Sequence, residues 1–285
     1  MFLQKQCSFR VAAESRENLL QNRVCSVLPI GAALGLDCGG VMSLSSSSLS
    51  IHTNGGFCVA SAPQSLFDEN KSMPGDRIAG SAHLTCASFM SSVAPQVVVG
   101  CRANVLHVLD AASGLRSLRT IDYSQHDYLE TMPPRRVGCV CLDNRASRAL
   151  VAGGADGKVR IFDSQLRSHD KTPQKEFNAF SGAVVSVACK GDTIVTVGNN
   201  QSPCPGGKGM RSIPDSTIKA YDLRIMRQLP SCHFMGRGDT LHMKAPSLVE
   251  FLPGYSNTIL AAAPGGAMLF LDLSQVCRLH VCMKL

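Results

Sequence analysis

The apolar positions of this chain fall in short aliphatic and β-branched runs bounded by Gly, Asn, Asp and Pro, while recurrence at helical spacing is nearly absent. That pattern predicts many short strands and an all-β fold. Four segments align with one another: VVVGCRANVLHVLD (Val97 to Asp110), ALVAGGADGKVRIFD (Ala149 to Asp163), TIVTVGNN with STIKAYD (Thr193 to Asp222) and TILAAAPGGAMLFLD (Thr258 to Asp272). Each is an apolar strand, a small-residue turn and a second strand that ends in Asp. A fifth, weaker copy is GGVMSLSSSSLSIHT, Gly39 to Thr53, whose Ser-rich middle is framed by the same alternation. Further strands are predicted upstream of the pairs, in RVGCVCL (Arg136 to Leu142) and AVVSVAC (Ala183 to Cys189).

The closing aspartates, Asp110, Asp163, Asp222 and Asp272, are spaced by 53, 59 and 50 residues. A WD-repeat blade takes ~40 to 45, so the excess is assigned to loops. The polar stretch from Thr131 to Arg136 and QSPCPGGKG, Gln201 to Gly209, are the candidates, since the Pro and Gly of the second forbid a central strand. The aspartates themselves read as turn formers at strand ends.

These residues carry a resemblance. GGADGKVRIFD, Gly153 to Asp163, resembles the WD-repeat signature, with Gly157 in the tight turn and Phe162 where the family has tryptophan. The chain contains no Trp; the corresponding positions hold Leu109, Phe162, Tyr221 and Leu271, and Phe180 stands where the family's histidine is expected. Without the buried hydrogen-bond network those residues build in the family, the blades are expected to be held mainly by apolar packing. More narrowly, IKAYDLRIMRQLP (Ile218 to Pro230), the Ser-rich copy, NAFSGAVVSVACKGDTIVTVG (Asn178 to Gly198) and AMLFLDL are similar to the propeller of the nuclease-bearing subunit of the PAN poly(A) deadenylation complex.

The resemblance covers Gly39 to Leu273 and implies a WD-repeat-type β-propeller, incomplete here, with five to six blades of a seven-bladed family fold. Residues 39–273 are assigned to blades, 1–38 to a poorly matched segment supplying one partial blade, and 274–285 to a tail off the repeat pattern. Seven units of about 50 residues need roughly 350, more than the 285 present. A truncated gene model with residues missing at one or both ends is therefore expected, leaving unpaired strand edges. In the family the exonuclease lies beyond the propeller, and the propeller is an interaction platform. The implied role is a non-catalytic scaffold in mRNA poly(A) tail shortening, meeting a pseudokinase-like regulatory subunit and the poly(A)-binding protein assembly. A WD-repeat module of an unrelated complex and a weak RNA-binding platform stay open as alternatives. No catalytic, cofactor-binding or metal-ligating residue is carried over, and no cofactor, membrane or small-molecule substrate is expected.

Composition changes this picture little. Hydrophobic residues make up 45% and charged residues 17%, with a mean hydropathy of +0.07, which supports a packed core and excludes a disordered chain. The net charge of +7 permits anionic partners without naming one. Thirteen cysteines without regular spacing suit small apolar fillers in a reducing compartment, so a cytoplasmic location is expected; the resemblance to the deadenylase subunit implies P-bodies among the addresses. Lys5 and Arg10 interrupt any secretory signal at the start, and Pro264, Gly265 and Gly266 split the most apolar segment into two strands and a turn. Asn200 opens an N-x-S triplet that means little without secretion.

Searches for chemistry yield bland readings. Cys139 and Cys141, two apart on one strand, read as core thiols. PGGKGM (Pro205 to Met210) lacks the Gly and the Ser or Thr that a phosphate loop needs, since Ser202 and Gly209 stand there. His126, Asp127 and Glu130, beside Tyr123 and Tyr128, read as polar loop decoration rather than an acid-base cluster. Arg116, Arg119, Arg135, Arg136, Arg145 and Arg148 make the middle of the chain basic. They read as a solvated rim, with weak, salt-sensitive RNA contact as the alternative.

Overall fold

The computed structural model describes residues 23–28, 40–44, 48–53, 58–62, 66, 84–90, 96–101, 105–123, 139–146, 149–163, 173–206, 209–225, 227–234, 245–252, 254–255, 257–264, 266–275 and 281–284. Two compact units, Met1–Arg136 and Val137–Leu285, divide the chain.

The first unit holds two four-stranded antiparallel meanders. One is β1 (Arg23–Leu28), β2 (Gly40–Leu44), β3 (Leu49–Thr53) and β4 (Cys58–Ala62); the other is β5 (Leu84–Met90), β6 (Gln96–Cys101), β7 (Val105–Asp110) and β8 (Arg116–Asp122). The second unit holds three. The third blade is β9 (Cys139–Ala146), β10 (Ala149–Gly154), β11 (Lys158–Asp163) and β12 (Lys175–Asn178). The fourth runs β13 (Val184–Lys190), β14 (Thr193–Pro203), β15 (Met210–Pro214), β16 (Thr217–Asp222), β17 (Arg227–Gln228) and β18 (Cys232–His233), with β15 pairing only β14 and β18 pairing β16. The fifth is β19 (Leu248–Phe251), β20 (Thr258–Ala262), β21 (Ala267–Asp272) and β22 (Val281–Lys284). The described residues thus form five blades. Segment 1–38 contributes β1 to the first of them, and segment 274–285 contributes β22 to the last.

The repeat legible in the sequence is the inner pair of each blade. Gln96 pairs with Asp110, Ala149 with Asp163, Thr193 with Asp222 and Thr258 with Asp272, so one register recurs four times. β6, β7, β10 and β11 are buried on both faces, which is why they read as continuous apolar runs rather than alternating ones. Within each unit the apolar cores lie between successive blades. Met42, Leu49 and Ile51 of the first blade meet Val97, Val99 and Leu109 of the second. Val151, Val159 and Ile161 of the third meet Val184, Val187 and Ile194 of the fourth. Val195, Val197 and Ala220 of the fourth meet Val249, Phe251 and Leu269 of the fifth.

The segment Gln201–Gly209, read as a loop, is partly strand: β14 continues to Pro203 and pairs with β15 from Asn199↔Pro214 to Pro203↔Met210. The correction is consistent with the proline argument, because this ladder is a ribbon projecting past the blade and not a central strand.

His107, in β7 opposite Val99 and Thr120, is 4% exposed, and burial pushes its pKa down to about 4. A histidine held neutral below its unfolded value of 6.5 stabilises the fold fully above that value and loses the contribution as pH falls toward 4. Between pH 7 and 4.5 the loss is expected to be about 2 to 3 kcal/mol. The aspartates Asp110, Asp222 and Asp272, whose pKa values lie below 3.8, act only in a more acidic window. Urea unfolding at the two pH values should therefore show a smaller drop for His107→Leu than for the parent; equal drops would refute this role.

Candidate functional site

At the strand ends the recurring aspartates cap the following turn. Asp110 Oδ1 accepts from the Ala112 amide at 2.9 Å, Asp222 Oδ1 from the Arg224 amide at 2.8 Å, and Asp272 Oδ1 from the Ser274 amide at 2.9 Å. Side-chain hydrogen bonds, from Ser113, Arg224 and Ser274 respectively, are the main cause of their lowered pKa values. The residues standing for tryptophan, Leu109, Phe162, Tyr221 and Leu271, are all buried. Tyr221 packs at 4.4 Å on Phe177, and burial pushes its hydroxyl up to about 12.

The other sequence candidates do not gather. Cys139 and Cys141 are in β9, paired with Gly154 and Gly153, and only their backbone is described. The thiols of Cys101, Cys189 and Cys232 are buried, and desolvation pushes that of Cys232 up to about 11, the state of an inert filler. His126, Asp127, Glu130 and Tyr128, the stretch Thr131 to Arg136 with Arg135 and Arg136, and Arg148 lie outside the described residues. Tyr123 is buried. Arg116 and Arg119 stand on the outer strand β8, Arg116 exposed, and Arg145 is in β9. Gly207 and Lys208 of PGGKGM are outside the described residues; around them the Cys204 amide donates to the Gly209 carbonyl at 3.0 Å and closes the β14–β15 ribbon. Asn200 is no free acceptor for sugar, since its Nδ2 donates to Asp215 Oδ2 at 2.8 Å. Among the described residues no three His, Cys, Asp or Glu side chains converge to hold a metal ion.

What the structure does bring together is the turn between β10 and β11, the loop between β12 and β13, and the base of the ribbon. The turn carries Asp156 and Gly157, and the Gly157 carbonyl accepts from the amides of Ala179 at 2.9 Å and Phe180 at 3.1 Å. Asp156, in the turn, is paired with Arg160. The guanidinium, 4% exposed, grips both carboxylate oxygens at 3.2 and 2.7 Å and also faces Glu176 at 3.5 Å. Phe180, at the expected histidine position, is buried against Gly198. Packing is thus supplemented by an ion pair that the sequence reading did not include. Lysines add to it: Lys175 donates to the Leu223 carbonyl of the next blade at 3.2 Å, and Lys190 to the Tyr255 carbonyl at 2.6 Å.

Between these parts lies an open cleft of about 460 Å³, lined by Asp156, Asn178, Phe180, Ser181, Asn200 and Lys219. Ser181 Oγ lies 3.2 Å from Asn200 Oδ1 and accepts from the Gln201 amide at 2.8 Å, tying loop to ribbon. Lys219 Nζ donates to the Ala179 carbonyl at 2.6 Å and sits 4.2 Å above the Phe180 ring. Sequence reasoning missed Lys219 because in TIKAYD it alternates with buried Ile218 and Ala220, as any solvent-facing strand residue does. Arg160 had a faint signal, a charge inside the otherwise apolar run VRIF.

Among the described residues five antiparallel blades, four of them sharing one inner register, form a fold of the WD-repeat β-propeller type. No family model matches the sequence. Among curated proteins it resembles the PAN2-PAN3 deadenylation complex catalytic subunit PAN2. The Saccharomyces cerevisiae protein is 29% identical over 139 residues, covering 49% of this chain and 11% of the relative. The Candida albicans protein is 23% identical over 236 residues, covering 82% of this chain and 17% of the relative. This chain therefore spans a small part of the length of the curated relatives it matches. The solved WD40 domain of Neurospora crassa Pan2 superposes with a TM-score of 0.59 at 18% identity, covering 86% of this chain and 62% of that one. The chain resembles the WD-repeat domain of PAN2.

Proposed function

We propose that this chain is a non-catalytic propeller scaffold in poly(A) tail shortening, working through protein contacts in an assembly of the PAN2-PAN3 type. The observation that carries the proposal is the similarity of this chain to proteins bearing one and the same name. A propeller offers loops and strand edges for docking. Its partners on this reading are the pseudokinase-like regulatory subunit and the assembly of poly(A) with its binding protein, in the cytoplasm and in P-bodies. Direct RNA contact is weak and confined to scattered arginines. The fold alone would suit many tasks, so the test is biochemical. The purified chain should co-elute with the regulatory subunit or with poly(A)-bound protein in size-exclusion chromatography, and should leave labelled poly(A) unshortened in Mg²⁺. Co-elution with neither, or tail shortening by the chain alone, would refute the proposal.

A further inference from the structure

The cleft between the β12–β13 loop and the ribbon has a definite electrostatic character. Its one carboxylate, Asp156, is saturated by the guanidinium of Arg160 and by the Lys158 amide at 3.2 Å. Asn200 is spent on Asp215 and Ser181. Two lining groups keep unused donors. The Lys219 ammonium makes one hydrogen bond, to Ala179, and has no carboxylate partner among the described residues. The exposed Asn178 side chain has no hydrogen bond among them either. Held by a carbonyl and an aromatic face, the ammonium is fixed in place before any ligand arrives, which lowers the ordering cost of pairing it.

We propose that this cleft binds an acidic side chain of an extended partner peptide, with Lys219 Nζ as its counter-ion and Asn178 as a flanking donor. The ribbon beside it supplies the rest of the site. Asn200 pairs with Ile213 at the cleft, and three residues further along, ~10 Å away, Met210 is 59% exposed. β15 pairs only with β14 among the described residues, so its outer edge offers backbone donors and acceptors to an added strand. Exposed Arg211 on the same strand adds positive charge. A nucleic acid fits less well. Among the described residues the cleft presents a single free cation, and the one ring lining it, Phe180, is buried under Lys219 and cannot stack on a base. The site does not depend on the deadenylation reading.

The test uses the full chain and a fluorescent acetyl-Glu-Val-Glu-Val-Glu-Val-amide peptide, followed by anisotropy at ~0.15 M salt. The peptide should bind, its Gln-for-Glu counterpart should bind at least about tenfold more weakly, and Lys219→Gln should cost about tenfold in affinity. Because Lys219 also braces the loop, Asn178→Asp provides a second arm: it alters an exposed side chain, leaves the brace intact and should weaken binding comparably by repulsion. Three outcomes would overturn the proposal: no binding of the acidic peptide, equal affinity for the Gln counterpart, or unchanged affinity in Asn178→Asp. Displacement of the peptide by a poly(A) oligonucleotide that binds more tightly and with the same Lys219 dependence would assign the cleft to RNA instead.

Discussion

Gly157→Ala is expected to be among the most damaging single-methyl changes in the second unit, lowering stability by about 3 to 5 kcal/mol. Two independent costs add. Gly157 has φ +80°, a conformation that L-residues adopt with strain. A Cβ there would also fall inside the van der Waals shells of the Phe180 and Gly182 carbonyl oxygens, which belong to backbone and cannot swing away. Gly266 separates the two costs, since its φ is +82° and nothing lies within 4 Å of its Cβ position. Gly266→Ala should therefore cost only the conformational part, about 1 kcal/mol. Urea midpoints of the two variants give the comparison, and equal shifts would mean that the close approach of turn and loop is not real. The same change has a functional reading. The Gly157 carbonyl anchors the amides of Ala179 and Phe180, and these two residues seat Lys219, so a displaced loop should also lose the acidic peptide.

How much of this was legible beforehand depends on burial. The inner strand pairs of the second and third blades were readable because burial on both faces demands uninterrupted apolar residues, and three of the four aspartate-ended pairs close on a carboxylate that caps the next turn. Outer strands were harder. β12, Lys175–Asn178, is mostly exposed, and β22 falls in the segment set outside the repeat; an outer strand needs only one edge partner and little apolar surface. The β14–β15 ribbon was masked for a related reason. A two-stranded ladder standing clear of the core imposes no hydrophobic alternation, so its Pro and Gly content read as loop. The cleft was illegible at the level of single segments, since Lys219 meets a ring and a carbonyl some forty positions earlier. Only the register of the blades brings them together.

Phe251→Ala tests what joins the blades, with an expected loss of about 3 to 5 kcal/mol. Phe251 ends β19, is 3% exposed, and packs in the core shared by the fourth and fifth blades with Val195, Val197 and Leu269. The polar ties between these blades, the Val249 amide to Ser186 Oγ at 3.2 Å and Lys190 Nζ to the Tyr255 carbonyl at 2.6 Å, would not fill a cavity left at Phe251. Asp272→Ala is the contrasting variant. Its carboxylate caps the turn after β21 through Ser274 at a half-buried strand end outside the apolar core, and its removal should shift the unfolding midpoint far less. The ordering of the two separates rival accounts of the architecture. If Asp272→Ala proved as damaging as Phe251→Ala, the strand-end aspartates would be the main ties of the blade. If Phe251→Ala proves much the worse, apolar contact between neighbouring blades holds the second unit together. The ion pair of Asp156 with Arg160 and the carbonyl-seeking lysines then fix local loop geometry, including the seat of Lys219.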